Sequence, residues 1–244
     1  MKPQYIITDP DKGAAQQRLA MRPKAVLFDM DGTLYDSMGN HADAWLRMVT
    51  ELGIKATREE FFLYEGRTGR STLNIIFNRA YGHGIEPEEA DRLYAIKTQY
   101  FRELPEPKPF KSMQLMVAAL LGAGITPVLV TGSGQMSLIE RLARDFPGAF
   151  PAERCVTARN VTHGKPSPEP FLKGLEMAGV SADEAIAVDN APLGVRSASD
   201  AGIFTVGLVT GPIPDEELRA NGADVIFKSP QTFADIIMKG LQVC

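Results

Sequence analysis

The sequence has few cysteines, no long apolar run and no excess of positive charge. Two cysteines in 244 residues, far apart at Cys155 and Cys244, fit neither a disulfide framework nor a zinc site. Unpaired thiols favour a reducing compartment, so we expect a cytoplasmic location. No run approaches the roughly 20 apolar residues of a membrane span, and the first residues lack the apolar core of a signal peptide. A net charge of −4 gives no basic patch to suggest nucleic acid. We also expect a monomer with no membrane partner.

The most informative stretch is an apolar run that ends in two carboxylates. Residues 24–28 read Lys-Ala-Val-Leu-Phe and are followed by Asp29 and Asp31. Because side chains alternate along an extended backbone, these two carboxylates point to the same side. Gly32 removes a side chain where the backbone must turn beside a ligand. The alternative for this stretch alone is a buried strand that ends in an ordinary polar turn.

The whole chain alternates between strand-like and helix-like segments, which predicts an α/β fold with a doubly wound parallel sheet. The predicted strands are 24–29, 125–131, 155–158, 185–189, 204–209 and 224–227. From about 38 to 104 the pattern is helical only, so we expect a small helical domain inserted into the sheet domain. The predicted division is an N-terminal arm at 1–22, a sheet domain at 23–37 and 108–244, and a helical domain at 38–107.

Local signals refine three helix starts. Ala14–Met21 permits a short helix within the arm. Thr57 begins a Thr-Arg-Glu-Glu sequence that is typical of a capping box. Ser167 is a predicted N-cap, with Pro168 at the first helical position.

Further polar groups follow the other predicted strands. Thr131-Gly132-Ser133 offers hydroxyls and backbone N–H groups that suit a phosphate at a helix start. Lys165, in a loop braced by prolines, can offset negative charge, and Asp189 and Asn190 offer the oxygen ligands that Mg²⁺ prefers. With Asp29 and Asp31, these residues would provide a nucleophile, an acid/base, a phosphate cradle, a cation and a metal site.

The order of these motifs, with Asp-Met-Asp-Gly-Thr at 29–33, resembles the haloacid dehalogenase-like superfamily. The resemblance implies that the helical insert is a C1 cap and that Asp29 is a nucleophile that forms an aspartyl-phosphate. It implies that Asp31 is the general acid/base, and that Mg²⁺ binds the Asp29 side chain and the Asp31 backbone carbonyl. It also implies that Thr131 and Lys165 hold the phosphoryl oxygens of a small phosphorylated substrate.

One position departs from the β-phosphoglucomutase-like branch. That branch usually has Glu-Asp at the fourth motif, and Asn190 stands where the metal-binding Asp is expected. We hypothesise that Glu65, in the cap sequence Glu-Gly-Arg-Thr-Gly-Arg, completes the metal shell when the cap closes. Arg67 or Arg70 would then hold a second phosphate. The loop resembles pyrophosphatase-type members, which favours inorganic pyrophosphate as substrate, although Glu65 could instead cap a helix or pair with an arginine.

Other functions remain open at this stage. His41 and Trp45 match the pattern of β-phosphoglucomutase, and Lys97 falls near its cap lysine, so a sugar-phosphate mutase is the main rival. In such an enzyme a cap histidine would relay a proton to Asp31. We interpret Trp45 itself as core packing. A sugar-phosphate or phosphoglycolate phosphatase is a further alternative. The non-enzyme alternative is a phosphate-binding or receiver-like module.

Overall fold

The chain folds around one parallel sheet with helices on both faces. The computed structural model describes residues 5–7, 19–21, 23–132 and 137–242. The strands are β1 Tyr5–Ile7, β2 Leu19–Met21, β3 Ala25–Phe28, β4 Thr126–Val130, β5 Cys155–Val156, β6 Ala185–Asp189, β7 Phe204–Leu208 and β8 Val225–Phe227. β1 and β2 pair antiparallel, and the other six form a parallel sheet in the order β5-β4-β3-β6-β7-β8.

The helices follow the predicted pattern with one addition. They are α1 Met38–Glu51, α2 Arg58–Leu63, α3 Gly69–Tyr81, α4 Pro87–Glu103, α5 Lys111–Gly122, α6 Ser137–Asp145, α7 Glu169–Ala178, α8 Pro192–Asp200, α9 Asp215–Ala220 and α10 Pro230–Gln242. The short helix α9 was not predicted. In the described part of the chain, no helix has the length and apolarity to cross a membrane.

Strand β3 shows why the sheet is covered on both faces. Val26 and Phe28 join an apolar cluster with residues of α5 and α10. Ala25 and Leu27 join a second cluster with residues of α7 and α8. Alternation of side chains along a strand sends neighbours to opposite faces, and a strand buried on both faces is apolar throughout. The predicted doubly wound sheet is thereby confirmed.

Helices α1–α4 form an insertion between β3 and α5. They have their own apolar core, in which the ring of Trp45 stacks on Phe61 with centroids 6.2 Å apart. Val195 and Ile213 of the sheet side also join this core, so the insertion packs against the sheet domain. The predicted boundaries of this domain, residues 38 and 107, stay predictions.

The sheet order brings three strand ends together. β3 lies between β4 and β6; the chain runs from β3 through β4 to the edge strand β5, then crosses back to β6 and continues through β7 to β8 at the other edge. In doubly wound sheets such a reversal opens a crevice beyond the carboxyl ends of the strands. The residues after β3, β4 and β6 therefore face one another.

Three local predictions differ from the structure. Leu19–Met21 is a strand, because its backbone pairs with Tyr5–Ile7; the rest of the predicted helix lies outside the described residues. Thr57 is the N-cap of α2, but its side chain makes no capping hydrogen bond. Helix α7 begins at Glu169 with Pro168 as N-cap, while the Ser167 hydroxyl accepts from the Glu169 N–H at 3.3 Å.

Close packing of α7 on the sheet predicts a size limit at Gly174. A Cβ atom there would lie 2.7 Å from Leu27 Cδ2 and 3.1 Å from Val130 Cγ2. We expect Gly174→Val to lower the free energy of unfolding by about 1–3 kcal/mol through overpacking. At Gly122, also helical, a Cβ atom meets no atom within 4 Å, so Gly122→Val should change it by less than about 0.5 kcal/mol. Urea unfolding compares the variants, and equal effects would contradict the packing argument.

Candidate active site

A buried ion-pair triad holds the end of β3 against the end of β6. Lys165 Nζ donates to Asp29 Oδ1 at 2.6 Å and to Asp189 Oδ2 at 2.7 Å. The Lys165 and Asp189 side chains are each 1% exposed, and that of Asp29 is 9% exposed. Asp189 Oδ1 also accepts the Ala191 N–H at 2.9 Å. The triad therefore links three segments that are distant in sequence.

The charges of the triad do not balance. Burial raises the pKa of Asp29, and Lys165 opposes that shift only in part. Burial by itself would lower the pKa of Lys165, but Asp189 and Asp29 outweigh it and raise that pKa. One lysine thus serves two carboxylates in a dry environment. A second positive charge at this site would stabilise the ionised form of Asp29.

Asp31 lies beside a histidine of α1. His41 Nε2 is 3.1 Å from Asp31 Oδ1, at an angle that does not make a hydrogen bond. The Ser37 hydroxyl donates to the same oxygen at 2.7 Å. Burial would raise the pKa of Asp31, but His41 and Ser37 outweigh it and lower the pKa to about 2. Asp31 therefore rests as a carboxylate.

Lys97 contacts the ring nitrogen of His41 that lies away from Asp31. Its Nζ lies 2.6 Å from His41 Nδ1 and 5.2 Å, 5.3 Å and 5.9 Å from the ring centroids of Trp45, Phe101 and Tyr94. Burial lowers the pKa of Lys97 to about 8, although Glu65 and Asp31 oppose the shift. The amine, the imidazole and the Asp31 carboxylate form a continuous polar chain into the site.

The cap loop is closed over the strand ends. A Cβ atom at Gly132 would lie 3.3 Å from the Gly66 carbonyl oxygen, and one at Gly66 would lie 3.6 Å from Lys165 Cδ. Between them lies a cavity with about 50 Å³ of space for the centres of water molecules. The sheet domain contributes Asp29, Asp31, Thr131, Gly132, Asn190 and Ala191, and the cap contributes His41, Trp45, Tyr64, Glu65, Gly66, Arg67, Gly69, Thr72, Tyr94 and Lys97.

The predicted cap residues do not all reach this cavity. Glu65 and Arg67 line it, and burial raises the pKa of Glu65. The Arg67 Nε is buried without a hydrogen-bond partner among the described residues, while its Nη1 is 3.4 Å from the Ser71 hydroxyl. Arg70 instead forms a two-pronged ion pair with Asp91 on the cap surface and is 60% exposed. Its predicted role on a second phosphate has no support here, because the side chain points away.

The described part of the loop after β4 lies at the cavity. Thr131 is 5% exposed, and its N–H donates to the Val156 carbonyl oxygen at 2.9 Å. Thr131 and Gly132 line the cavity. Ser133 lies outside the described residues.

The donors at the cavity suit a hard cation. Asp29, Asp31, Asn190 and Glu65 all line it, and the Asn190 amide nitrogen is buried without a described hydrogen-bond partner. Oxygen donors of this kind fit Mg²⁺. Among the described residues no three His, Cys, Asp or Glu side chains are grouped closely enough to hold a metal ion. Asp189, predicted as a ligand, is fully buried, and its oxygens already accept from Lys165 and Ala191.

Sequence reasoning missed several residues around the site. Tyr94 lies one helical turn before Lys97 and shares its face, a spacing that could have identified it. Trp45 was interpreted as core packing and lines the cavity as well. The contacts of Ser37 with Asp31, and of the Thr33 hydroxyl with Asn190 Oδ1 at 3.3 Å, had no signal in the sequence.

Comparisons with known proteins agree with this geometry. The family model for haloacid dehalogenase-like hydrolases matches residues 23–202. A solved structure of a candidate beta-phosphoglucomutase from Bacteroides vulgatus is 41% identical with a TM-score of 0.85, covering 91% of each chain.

Two curated proteins add relatives with different named activities. Hexitol phosphatase A of Escherichia coli is 29% identical, over 86% of this chain and 92% of its own. A candidate pyrophosphatase of Clostridium perfringens is 30% identical, over 88% of this chain and 98% of its own. Both relatives match most of this chain, and they differ in what they are named to act on.

The burial of Lys97 predicts a pH-dependent contribution to stability. The folded protein holds this proton up to about pH 8, and the unfolded chain holds it up to its ordinary pKa of 10.5. Between these values the unfolded state binds more protons, so the free energy of unfolding rises with pH. Relative to Lys97→Met, wild type should gain about 3 kcal/mol across this interval.

Urea unfolding of both proteins at the two ends of the interval, without added metal, measures this gain. Shifts of groups that do not interact with Lys97 are common to both proteins and cancel in the difference. A difference that does not change with pH would contradict the burial of an ionisable amine at this position.

Proposed function

This chain belongs to the haloacid dehalogenase-like hydrolase family and is therefore a phosphatase or phosphotransferase. We propose that it hydrolyses inorganic pyrophosphate with the help of Mg²⁺. Enzymes of this family generally use Mg²⁺. The observation that carries the choice of substrate is the small, charged cavity under the closed cap loop.

The size of the cavity favours a small anion. Its 50 Å³ corresponds to the space of about four water molecules, since one water needs roughly 10–15 Å³ on this measure. A sugar ring attached to the phosphate would require the loop at Gly66 to move away from Gly132. Pyrophosphate adds only a second phosphoryl group.

The charges around the cavity also favour a second phosphoryl group. Arg67 and Lys97 approach from the cap, on the side where the leaving group of a phosphoryl transfer would lie. The Arg67 Nε has no described partner and is available to a phosphate oxygen. A sugar hydroxyl does not need two cationic side chains.

The low pKa of Asp31 fits a phosphate leaving group better than the alkoxide of a sugar. With a pKa of about 2, Asp31 is a poor proton donor at rest. Phosphate is a much weaker base than an alkoxide and leaves with less help from an acid. The polar chain from Lys97 through His41 can return a proton to Asp31.

The chemical steps follow from these roles. Asp31 first takes up a proton along the chain from Lys97 through His41. Asp29 Oδ2, the oxygen that Lys165 does not hold, then attacks one phosphorus; the bond to the bridging oxygen breaks, and phosphate leaves with that proton. Water then attacks the phosphorus of the aspartyl-phosphate and gives its proton to Asp31. The bond between Asp29 Oδ2 and phosphorus breaks, which releases the second phosphate and restores the Asp29 carboxylate. Thr131 and the Gly132 N–H bind the phosphoryl oxygens. The Asp29 carboxylate, the Asp31 backbone carbonyl, the Asn190 amide oxygen and Glu65 would hold Mg²⁺, which would supply positive charge to those oxygens.

A second candidate is a sugar-phosphate mutase. The aligned Lys97, His41 and Asp31 could relay protons to and from a sugar hydroxyl. Such an enzyme would open its cap to admit the sugar.

A substrate comparison with a nucleophile variant tests the proposed function. Phosphate release is measured from pyrophosphate, β-glucose 1-phosphate, a hexitol phosphate and phosphoglycolate, with Mg²⁺ present. We expect kcat/KM to be highest for pyrophosphate, and Asp29→Asn to lower it by at least about 10³-fold, because the nucleophile is lost. Preference for a sugar phosphate would overturn the choice of substrate, and an active Asp29→Asn variant would overturn the mechanism.

Glu65 has a separate test, because its role is metal binding from the cap. We expect Glu65→Ala to raise the half-saturating Mg²⁺ concentration for pyrophosphate hydrolysis by about 10-fold or more. The control is Glu59→Ala, an exposed glutamate of the same cap, which should leave it unchanged. Half-saturation that is the same in both variants and wild type would remove Glu65 from the metal shell.

A further inference from the structure

The side-chain amide of Asn190 is held in an orientation that leaves its nitrogen unused. The Thr33 hydroxyl donates to Asn190 Oδ1 at 3.3 Å, and both residues are buried. The Asn190 Nδ2 is buried and makes no hydrogen bond to any described residue. Asn190 lines the same cavity as Asp29 and Asp31. In this orientation the amide oxygen is engaged by the protein.

A cation on the side of the unpartnered nitrogen needs the opposite orientation, because only the amide oxygen can bind it. Half a turn about the last side-chain bond exchanges the oxygen and the nitrogen at almost no change in shape. The Nδ2 would then donate to the Thr33 hydroxyl oxygen, which can accept as well as donate. The oxygen would take the position of the unpartnered nitrogen.

Gly32 leaves room for the amide in either orientation. It has a φ of +86°, and a Cβ atom there would lie 2.1 Å from Asn190 Nδ2. The amide therefore packs directly against the backbone of the turn after Asp31. A residue so enclosed has few ways to satisfy its nitrogen except through Thr33.

We propose that Thr33 is a positioning residue that turns the Asn190 amide, so that its oxygen faces Mg²⁺ and its nitrogen is satisfied. This inference rests on the proposed function, since it assumes Mg²⁺ at this cavity. Its physical basis is that an amide ends in one oxygen and one NH₂ group, whereas a carboxylate ends in two equivalent oxygens. A site with asparagine in place of aspartate needs a neighbour that can accept a hydrogen bond.

A double-mutant comparison tests the proposal without turnover. Mg²⁺ affinity is measured from the rise in the free energy of unfolding with Mg²⁺ concentration, in the absence of substrate. The proteins are wild type, Thr33→Val, Thr33→Ser, Asn190→Asp and the double variant Thr33→Val with Asn190→Asp. Valine keeps the shape of threonine and removes the hydroxyl, and serine keeps the hydroxyl.

We expect Thr33→Val to weaken Mg²⁺ binding at least about fivefold, because the buried Nδ2 is left without an acceptor. Thr33→Ser should bind Mg²⁺ within about twofold of wild type, since the acceptor remains. In the Asn190→Asp background, Thr33→Val should change the affinity by less than about twofold, because either carboxylate oxygen can face the cation.

Equal losses in the two backgrounds, or no loss in the asparagine background, would overturn the role of Thr33. If wild type does not bind Mg²⁺, both this inference and the proposed metal fail. If Mg²⁺ binds as described and pyrophosphate is not hydrolysed, only the proposed substrate fails.

Discussion

The site depends on one buried amine that neutralises two carboxylates. Lys165 bridges Asp29 and Asp189 at 2.6 Å and 2.7 Å, almost without exposure to water. Removing one partner of such a pair leaves an uncompensated buried charge, so the three positions are coupled. The sheet order makes this contact available, because β3 and β6 are neighbours although their sequences are distant. The packing of β3 against β6 and the charge state of the proposed nucleophile Asp29 thus both depend on Lys165.

The site keeps an excess of negative charge that Lys165 does not neutralise, and the cap loop covers it. Two carboxylates share Lys165, and Asp31 adds a third negative group that His41 and Ser37 stabilise. A cation among these oxygens, and an anion beyond it, are the natural complements of this arrangement. The cap loop closes within contact distance of Gly132, so the cation and the anion would both be shielded from water. Electrostatic interactions are stronger in such a shielded site than in water.

The sequence predicted the sheet and the residues at its strand ends, because both follow from simple periodicity. Strand β6, for example, has the predicted bounds of residues 185–189. The orientation of side chains could not be predicted in the same way. Arg70 turned to Asp91 on the surface, and Asp189 turned to Lys165. Those orientations depend on neighbours that are distant in sequence.

The strand Leu19–Met21 could not be predicted for a similar reason. It forms because its backbone pairs with Tyr5–Ile7, and the local sequence pattern carries no information about that pairing.

The central claim is that the carboxylate held by Lys165 is the group that carries the phosphoryl intermediate. Its most direct test is to quench the enzyme with acid during turnover and to sequence its peptides by mass spectrometry. We predict one added phosphoryl group on the peptide that contains Asp29, located at Asp29 itself. Turnover with no phosphorylated peptide in the quenched enzyme, or with the group on another residue, would contradict the account.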